Sequence, residues 1–283
     1  MKNKIKVIVP FYNPGNFLNR CINSLLTQDY ENYEILFIDD CSTDDSFSKI
    51  PAVKYKTDEN NELLKDENEE LIIESIHPLL EKTKCLNVHA WRSGQRMTAL
   101  PNIHNAIKNF ATDSDDIVVI VDGDDFLFNK TALTDINNFY VENKDCWLMY
   151  GSSKVTNGHP CYASAYSEKE FENIKRAPFR VSHIRTFRAG LYNSIQEQDP
   201  EMKCMMNEEG KWYTVAYDAC IMFPMLEMAG YEHVFYNPKP LYVYNVDNPI
   251  SDDRLNMELK VQVKREIIQK PNFKQIENYK QND

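Results

Sequence analysis

No run in this 283-residue sequence approaches the ~20 consecutive apolar residues needed to cross a bilayer. The N-terminus, MKNKIKVIVP, passes straight from lysines into an apolar stretch and lacks a small-residue cleavage site, so it does not read as a signal peptide. There is no CxxC pair and no Cys/His cluster with zinc-like spacing. The seven cysteines (Cys21, Cys41, Cys85, Cys146, Cys161, Cys204 and Cys220) are odd in number and scattered, which predicts reduced thiols and a cytoplasmic location. Basic residues are in deficit: 32 Lys and Arg against 43 Asp and Glu give a formal net charge of -11. That balance excludes a nucleic-acid partner, because phosphate backbones need clustered Lys and Arg. Nucleotides stay open, since a divalent cation offsets phosphate charge locally. The first apolar run is followed by PFYNPG rather than GxGxxG, which removes a dinucleotide-dependent dehydrogenase.

Hydrophobic residues at 42% and aromatics at 12% are enough to bury a sizeable core. The length fits one α/β domain, or one with an appended acceptor-side lobe. Lys4–Val9, Glu34–Ile38, Cys85–His89, Ile117–Val121 and Trp147–Tyr150 read as short apolar strands. Between them lie helical patterns: Asn16 as a cap before Phe17, Leu18, Cys21, Ile22, Leu25 and Leu26; a stretch through Leu71, Ile72, Ile76, Leu79 and Leu80; one from about Pro101 to Phe110; and one aligning Leu133, Ile136 and Tyr140. The run from Asp58 to Glu70, DENNELLKDENEE, reads as a solvated helix or loop. Strands alternating with helices predict an α/β fold, a mostly parallel sheet with helices on both faces.

From about Gly151 the rhythm breaks. A helix is expected from Asp218 to Ala229, stopped by Gly230 and kinked by Pro224. Two short strands, Tyr231–Tyr236 and Leu241–Tyr244, should follow. A last helix should then carry Leu255, Leu259, Val263 and Ile267.

Two strands end in acid clusters, Asp39-Asp40 and Asp122-Gly123-Asp124-Asp125. Ligands of open α/β sheets bind beyond the carboxyl ends of the strands, so these acids should share one crevice. Carboxylates this close raise one another's pKa unless a cation lies between them, and Mg²⁺ or Mn²⁺ prefers such oxygen ligands. An acidic turn is the competing reading of DGDD, and a helix cap that of Asp39-Asp40-Cys-Ser-Thr-Asp-Asp.

Residues 5–45, IKVIVPFYNPGNFLNRCINSLLTQDYENYEILFIDDCSTDD, resemble the opening of family-2 glycosyltransferases, which have the GT-A fold. Asn102 to Asp125, with IVVIVDGDD, is similar to that family's second block and its acidic DXD motif. The resemblance implies inverting transfer of a sugar from a nucleotide diphosphate, usually UDP, with Mn²⁺ or Mg²⁺. By the family pattern Pro10 and Tyr12 line the base, and Asp39 and Asp40 bind base or ribose. Arg92 and Arg96 approach the diphosphate, and Asp122 with Asp124 or Asp125 holds ribose and metal. The family's catalytic base is an Asp closing a Glu-Asp pair. Ala216-Tyr217-Asp218 matches it, with Tyr217 where Glu is usual and Asp218 as the base; a plain helix N-cap is the competing reading of Asp218. Asp247 falls where members carry a metal-proximal His, and is either a third metal candidate or a cap of the turn before Pro249. The segment His183-Ile-Arg-Thr-Phe-Arg188 is similar to one that contacts diphosphate or acceptor, and Trp212 and Tyr213 are candidate sugar-stacking residues or core.

The expected organisation is a nucleotide-sugar half over 1–150, an acceptor half over 151–250 and a helical segment over 251–283. The acceptor would be a glycan, a protein or a small molecule. Two alternatives stand beside the transferase. A non-catalytic nucleotide-sugar-binding module would keep DGDD and lose the base. A sugar-nucleotide pyrophosphorylase would want an early Gly-rich loop with Arg and Lys, which is missing.

Overall fold

The structure, a computed structural model, describes residues 2–51, 53–55, 66–68, 73–76, 78, 80–85, 87–159 and 163–280. Cys161 and most of the 58–70 acidic run lie outside the described residues; Asp66 and Glu67 are exposed. The elements run β1 (Ile5–Phe11), α1 (Phe17–Leu26), β2 (Tyr33–Asp39), β3 (Val53–Tyr55), β4 (Ile73–Ile76), β5 (Asn87–Arg92), α2 (Ala99–Phe110), β6 (Ile117–Ile120), β7 (Phe126–Leu127), α3 (Ala132–Glu142), β8 (Leu148–Val155), α4 (Glu168–Phe171), β9 (Arg185–Arg188), α5 (Ala189–Gln198), α6 (Tyr217–Ala229), β10 (Val234–Tyr244), α7 (Asp252–Leu255) and α8 (Met257–Gln269).

Eight strands form one sheet in the order β5-β2-β1-β6-β9-β8-β10-β7. The first four are mutually parallel. Beyond them β9 runs antiparallel to both β6 and β8, β8 and β10 are parallel, and β7 closes the edge antiparallel. The α/β expectation holds, and the mixing begins where the sequence rhythm breaks.

Side chains alternate across the sheet, as the pleat requires. Ile5, Val7 and Val9 of β1 pack with α1 and α3, through Leu18, Cys21, Leu25, Leu133 and Ile136. Ile8 faces the other way, into a larger core built on α2, α5, α6 and α8. β1, β2 and β6 are buried on both faces, which is why they read as unbroken apolar runs. α6 is buried almost all round, and so shows little amphipathic pattern.

Several expectations change. Where a helix was read through Ile76, the chain forms β4, paired antiparallel with β3. The β-branched isoleucines there suit a pleated strand better than a helix. Leu71, Ile72 and Leu79 lie outside the described residues. Asn16 precedes α1 but makes no side-chain cap bond. The two strands expected near the end are one, β10, with register shifts at Asn237 and Pro240 that let a proline pass through a ladder. Leu255 belongs to α7 and is exposed, as is Leu259, so α8 seats only Val263 and Ile267 in the core. The six described cysteines are free.

Candidate active site

The carboxyl ends of β1, β2 and β6 open into a cavity of about 460 Å³. Of the expected residues, Pro10, Tyr12, Asp40, Arg96, Asp122, Asp124 and Asp218 line it. Asp39 and Asp125 lie behind the wall, at 0% and 1% exposure. Arg92 stands on the far side, with Nε 3.2 Å from Asp39 Oδ2 and Nη2 donating to the Ser42 carbonyl at 2.7 Å. Asp247 is exposed, and its neighbour Asn248 lines the cavity instead. Trp212 packs against His104, with ring centroids 5.2 Å apart, and Tyr213 is buried in the core.

At the β2 end, Asp40 accepts from the backbone N–H of Met97 at 2.7 Å and of Thr98 at 2.9 Å, and from Asn102 Nδ2 at 2.9 Å. Thr98 has a left-handed φ of 72°, a strained setting that this three-way clamp holds. The Arg96 guanidinium lies 3.7 Å from the centre of the Tyr12 ring, closing that end as a cation–π pair. Asn13 Oδ1 accepts from the backbone of Thr43 at 2.7 Å, so the β1 and β2 loops are tied together.

Gly123 cannot be otherwise: a Cβ there would fall 2.4 Å from Phe11 Cβ. The missing side chain lets the DGDD turn lie flat on the end of β1. Asp122 then faces the cavity, where the Tyr217 hydroxyl donates to it. Asp125 faces inward, accepting from the Tyr242 hydroxyl at 2.6 Å and the Asn245 N–H at 2.7 Å. Tyr242 also accepts from the Asp122 N–H at 3.1 Å. Asp124 accepts from Asn248 Nδ2 at 2.7 Å. Burial, with the charge of Asp124 second, pushes the Asp122 carboxyl up to about 7, and the same causes push Asp125 well above the carboxylate range.

His183 completes this group. Its ring stacks on Tyr242 at 4.4 Å, and its Nδ1 is buried without a hydrogen-bond partner. Burial, then Arg185 and Lys260, lower its pKa well below the usual value, so the imidazole is neutral. One donor atom each from Asp122, Asp125 and His183 lie within 4.8 Å of one another. Two carboxyls destabilised by burial and by each other, beside a neutral orphan nitrogen, fit a divalent cation. This grouping differs from the Asp124, Asp125 and Asp247 set expected from the sequence.

Asp218 follows Tyr217 at the start of α6, after Ala216 in a left-handed conformation (φ 56°). Its Oδ2 lies 3.3 Å from Arg185 Nη2 on β9. Burial alone would raise its pKa; Arg185, Lys264 and Lys260 outweigh burial, and the net direction is down. A carboxylate held ionised at a cavity wall can accept a proton from a hydroxyl that approaches it. Tyr242, Asn248 and Lys260 carried no signal in the sequence, because each joins the site through tertiary contact.

The family described as Glycosyl transferase family 2 matches residues 6–70. Over 44 residues the chain is 52% identical to the glycosyltransferase GlyA of Streptococcus pneumoniae, covering 16% of this chain and 6% of that one. An uncharacterized glycosyltransferase of Haemophilus influenzae is 28% identical over 139 residues, 49% of this chain and 43% of the relative. Among solved structures, Staphylococcus aureus TarS 1-349 in complex with UDP-GlcNAc superposes with a TM-score of 0.58 at 18% identity, over 93% of this chain and 65% of that one. The mannosyltransferase PcManGT of Pyrobaculum calidifontis, in complex with GDP-Man and Mn²⁺, gives 0.52 at 16% identity, over 86% and 57%. The chain thus spans less than half of those curated relatives and less than two thirds of either structural neighbour. In sequence over its opening segment and in fold over nearly its whole length, this chain resembles the family-2 glycosyltransferases with the GT-A fold.

Proposed function

We propose that the chain transfers a sugar, with inversion, from a nucleoside diphosphate, most simply UDP, to an acceptor hydroxyl. The observation that carries this is the meeting of Asp122 and Asp218 on one cavity wall, reached from a nucleotide-binding strand end that Pro10, Tyr12 and Asp40 line. Asp122, Asp125 and His183 would hold Mn²⁺ or Mg²⁺, which when bound neutralises charge on a departing diphosphate. Asp218 accepts the proton of the attacking hydroxyl as its oxygen bonds to the anomeric carbon. The bond from that carbon to the diphosphate oxygen breaks, and the electron pair leaves with the diphosphate. A single displacement of this kind inverts the configuration, and the base contributes roughly 10²–10⁴-fold.

Residues 1–150 serve the donor in this reading, 151–250 the acceptor, and 251–283 add α8 to the acceptor side. The UDP-GlcNAc in the TarS complex supports a UDP donor, and the Mn²⁺ in the PcManGT complex supports a metal. A second reading, binding of nucleotide sugar without transfer, has one observation in its favour: Arg185 already occupies Asp218. Among the described residues no helix is long and apolar enough to cross a membrane.

The test is incubation with a panel of UDP- and GDP-sugars, with Mn²⁺ or EDTA, measuring released nucleoside diphosphate. Metal-dependent release that rises with acceptor, and an inverted anomeric configuration by NMR, is the expected result. Saturable nucleotide-sugar binding without release would hand the site to the second reading.

A further inference from the structure

The loop that follows β10 carries two buried asparagines that bond in the same way. Asn245 Oδ1 accepts from the Asp247 N–H at 3.1 Å, and its Nδ2 donates to the Asp124 carbonyl at 3.1 Å. Asn248 Oδ1 accepts from the Ile250 N–H at 3.1 Å, and its Nδ2 donates to Asp124 Oδ2 at 2.7 Å. Each amide closes a turn in its own loop with one atom and reaches Asp124 with the other. Asn245 thereby holds the backbone of Asp124, and Asn248 holds its side chain. A side-chain amide offers an acceptor and a donor on separate atoms. An aspartate would close the same turns but could donate nothing to Asp124.

Turn closure alone does not account for Asn248, because the loop backbone is tied down without it. The Asn245 N–H donates to Asp125 Oδ1 at 2.7 Å, the Val246 N–H to Thr156 Oγ1 at 3.2 Å, and Arg254 Nη2 to the Val246 carbonyl at 2.7 Å. What the Asn248 side chain adds is aim. Only 6% exposed, it lies on the cavity wall with Asp124, and its second bond holds Ile250, which with Ser251 lines the same cavity. Resting on the transferase reading, we infer that Asn248 is a positioning residue. Its amide holds the Asp124 carboxylate in the orientation that receives the nucleotide diphosphate and, through Ile250, sets the adjoining wall from the same point. In this role it acts through Asp124 and not on the reacting atoms.

The experiment titrates UDP with Mn²⁺ calorimetrically into the full chain and its variants, with thermal melts alongside. Asn248→Asp keeps the turn and removes the donor, whereas Asn248→Ala removes both. Each should bind at least about tenfold more weakly, because a small misplacement of a binding group is costly, with melting temperature close to that of the wild type. Asn248→Ala placed on Asp124→Ala should weaken binding no further than Asp124→Ala alone, since residues that act through one another are not additive. Binding by Asn248→Asp as tight as the wild type, or tighter, would reduce Asn248 to a turn former. A further loss in the double variant would show it acting apart from Asp124. Either result overturns the inference, and if Asn248→Asp does not fold, the alanine variants decide alone. A wild type that binds no UDP-Mn²⁺ ends the transferase reading and this role together. A wild type that binds, with variants that bind equally, ends the role alone.

Discussion

The Tyr217 hydroxyl donates to both carboxylate oxygens of Asp122, at 2.7 and 2.9 Å. Tyr217 is also the residue before Asp218 and the first of α6. One phenol therefore fixes the helix that carries Asp218 relative to the turn that carries the acids. Tyr217→Phe keeps the ring and removes the donor. It should cost about 1–3 kcal/mol of stability and lower kcat roughly tenfold or more through misplacement of Asp218, with donor KM little changed. Thermal unfolding and steady-state kinetics check this; an unaltered kcat would confine Tyr217 to packing.

Metal-free protein should lose stability as pH rises. The Asp122 carboxyl titrates at about 7 in the fold, and burial with the neighbouring acids pushes Asp125 well above the ordinary 3.8. Both groups bind protons more tightly folded than unfolded. The Asp122 contribution is complete below about 4 and disappears as pH climbs through about 7. Melting temperature in EDTA should fall across that window, while Mn²⁺ affinity should rise across it because metal competes with protons. A flat pair of profiles would contradict the assignment of these acids to the cation.

Asp218→Asn should reduce transfer at least about a hundredfold, because Asn cannot accept the proton. Sequence alone suggests no effect on stability, since Asn caps a helix about as well as Asp. The Arg185 contact changes that expectation: a neutral partner leaves a mostly buried guanidinium undercompensated, at a cost of roughly 1–3 kcal/mol. Near-normal transfer by a folded Asn variant would dismiss Asp218 as base.

Asp124 and Asp125, adjacent in the chain, should separate on substitution. Asp124→Ala opens the cavity wall and should weaken donor binding with little change in melting temperature. Asp125→Ala strands the Tyr242 hydroxyl and the Asn245 N–H inside the protein, costing about 2 kcal/mol or more. Calorimetric Mn²⁺ titration and thermal melts of both variants decide it. Equal melting temperatures would contradict the burial of Asp125.

The acids at the ends of β2 and β6 were legible because their chemistry is local. An apolar strand followed at once by Asp39-Asp40, and another by DGDD, announces acids at strand ends, and their convergence follows from a parallel sheet. The order in which those acids turn was not legible. Gly123 lies against Phe11, and Asp122 and Asp124 line the cavity while Asp125 turns inward; nothing in DGDD says which of them meets His183. β9 escaped because its HIRTFR text is polar, its arginines being buried by partners on other elements rather than by apolar neighbours. β10 read as two strands because Pro238 and Pro240 interrupt it, and the register shifts that accommodate a proline are a tertiary solution.

The clamp of Asp40 on Met97, Thr98 and Asn102 is made entirely by the protein's own groups. A pocket end already bonded into shape has little left to order, so a ligand entering it loses its own freedom and forfeits little of the protein's. On the transferase reading, capture there should be governed by diffusion and desolvation rather than by the closing of a loop. The consequence is temporal: nucleotide should arrive quickly and in one kinetic phase, and any slower phase of turnover belongs to the opposite end of the cavity.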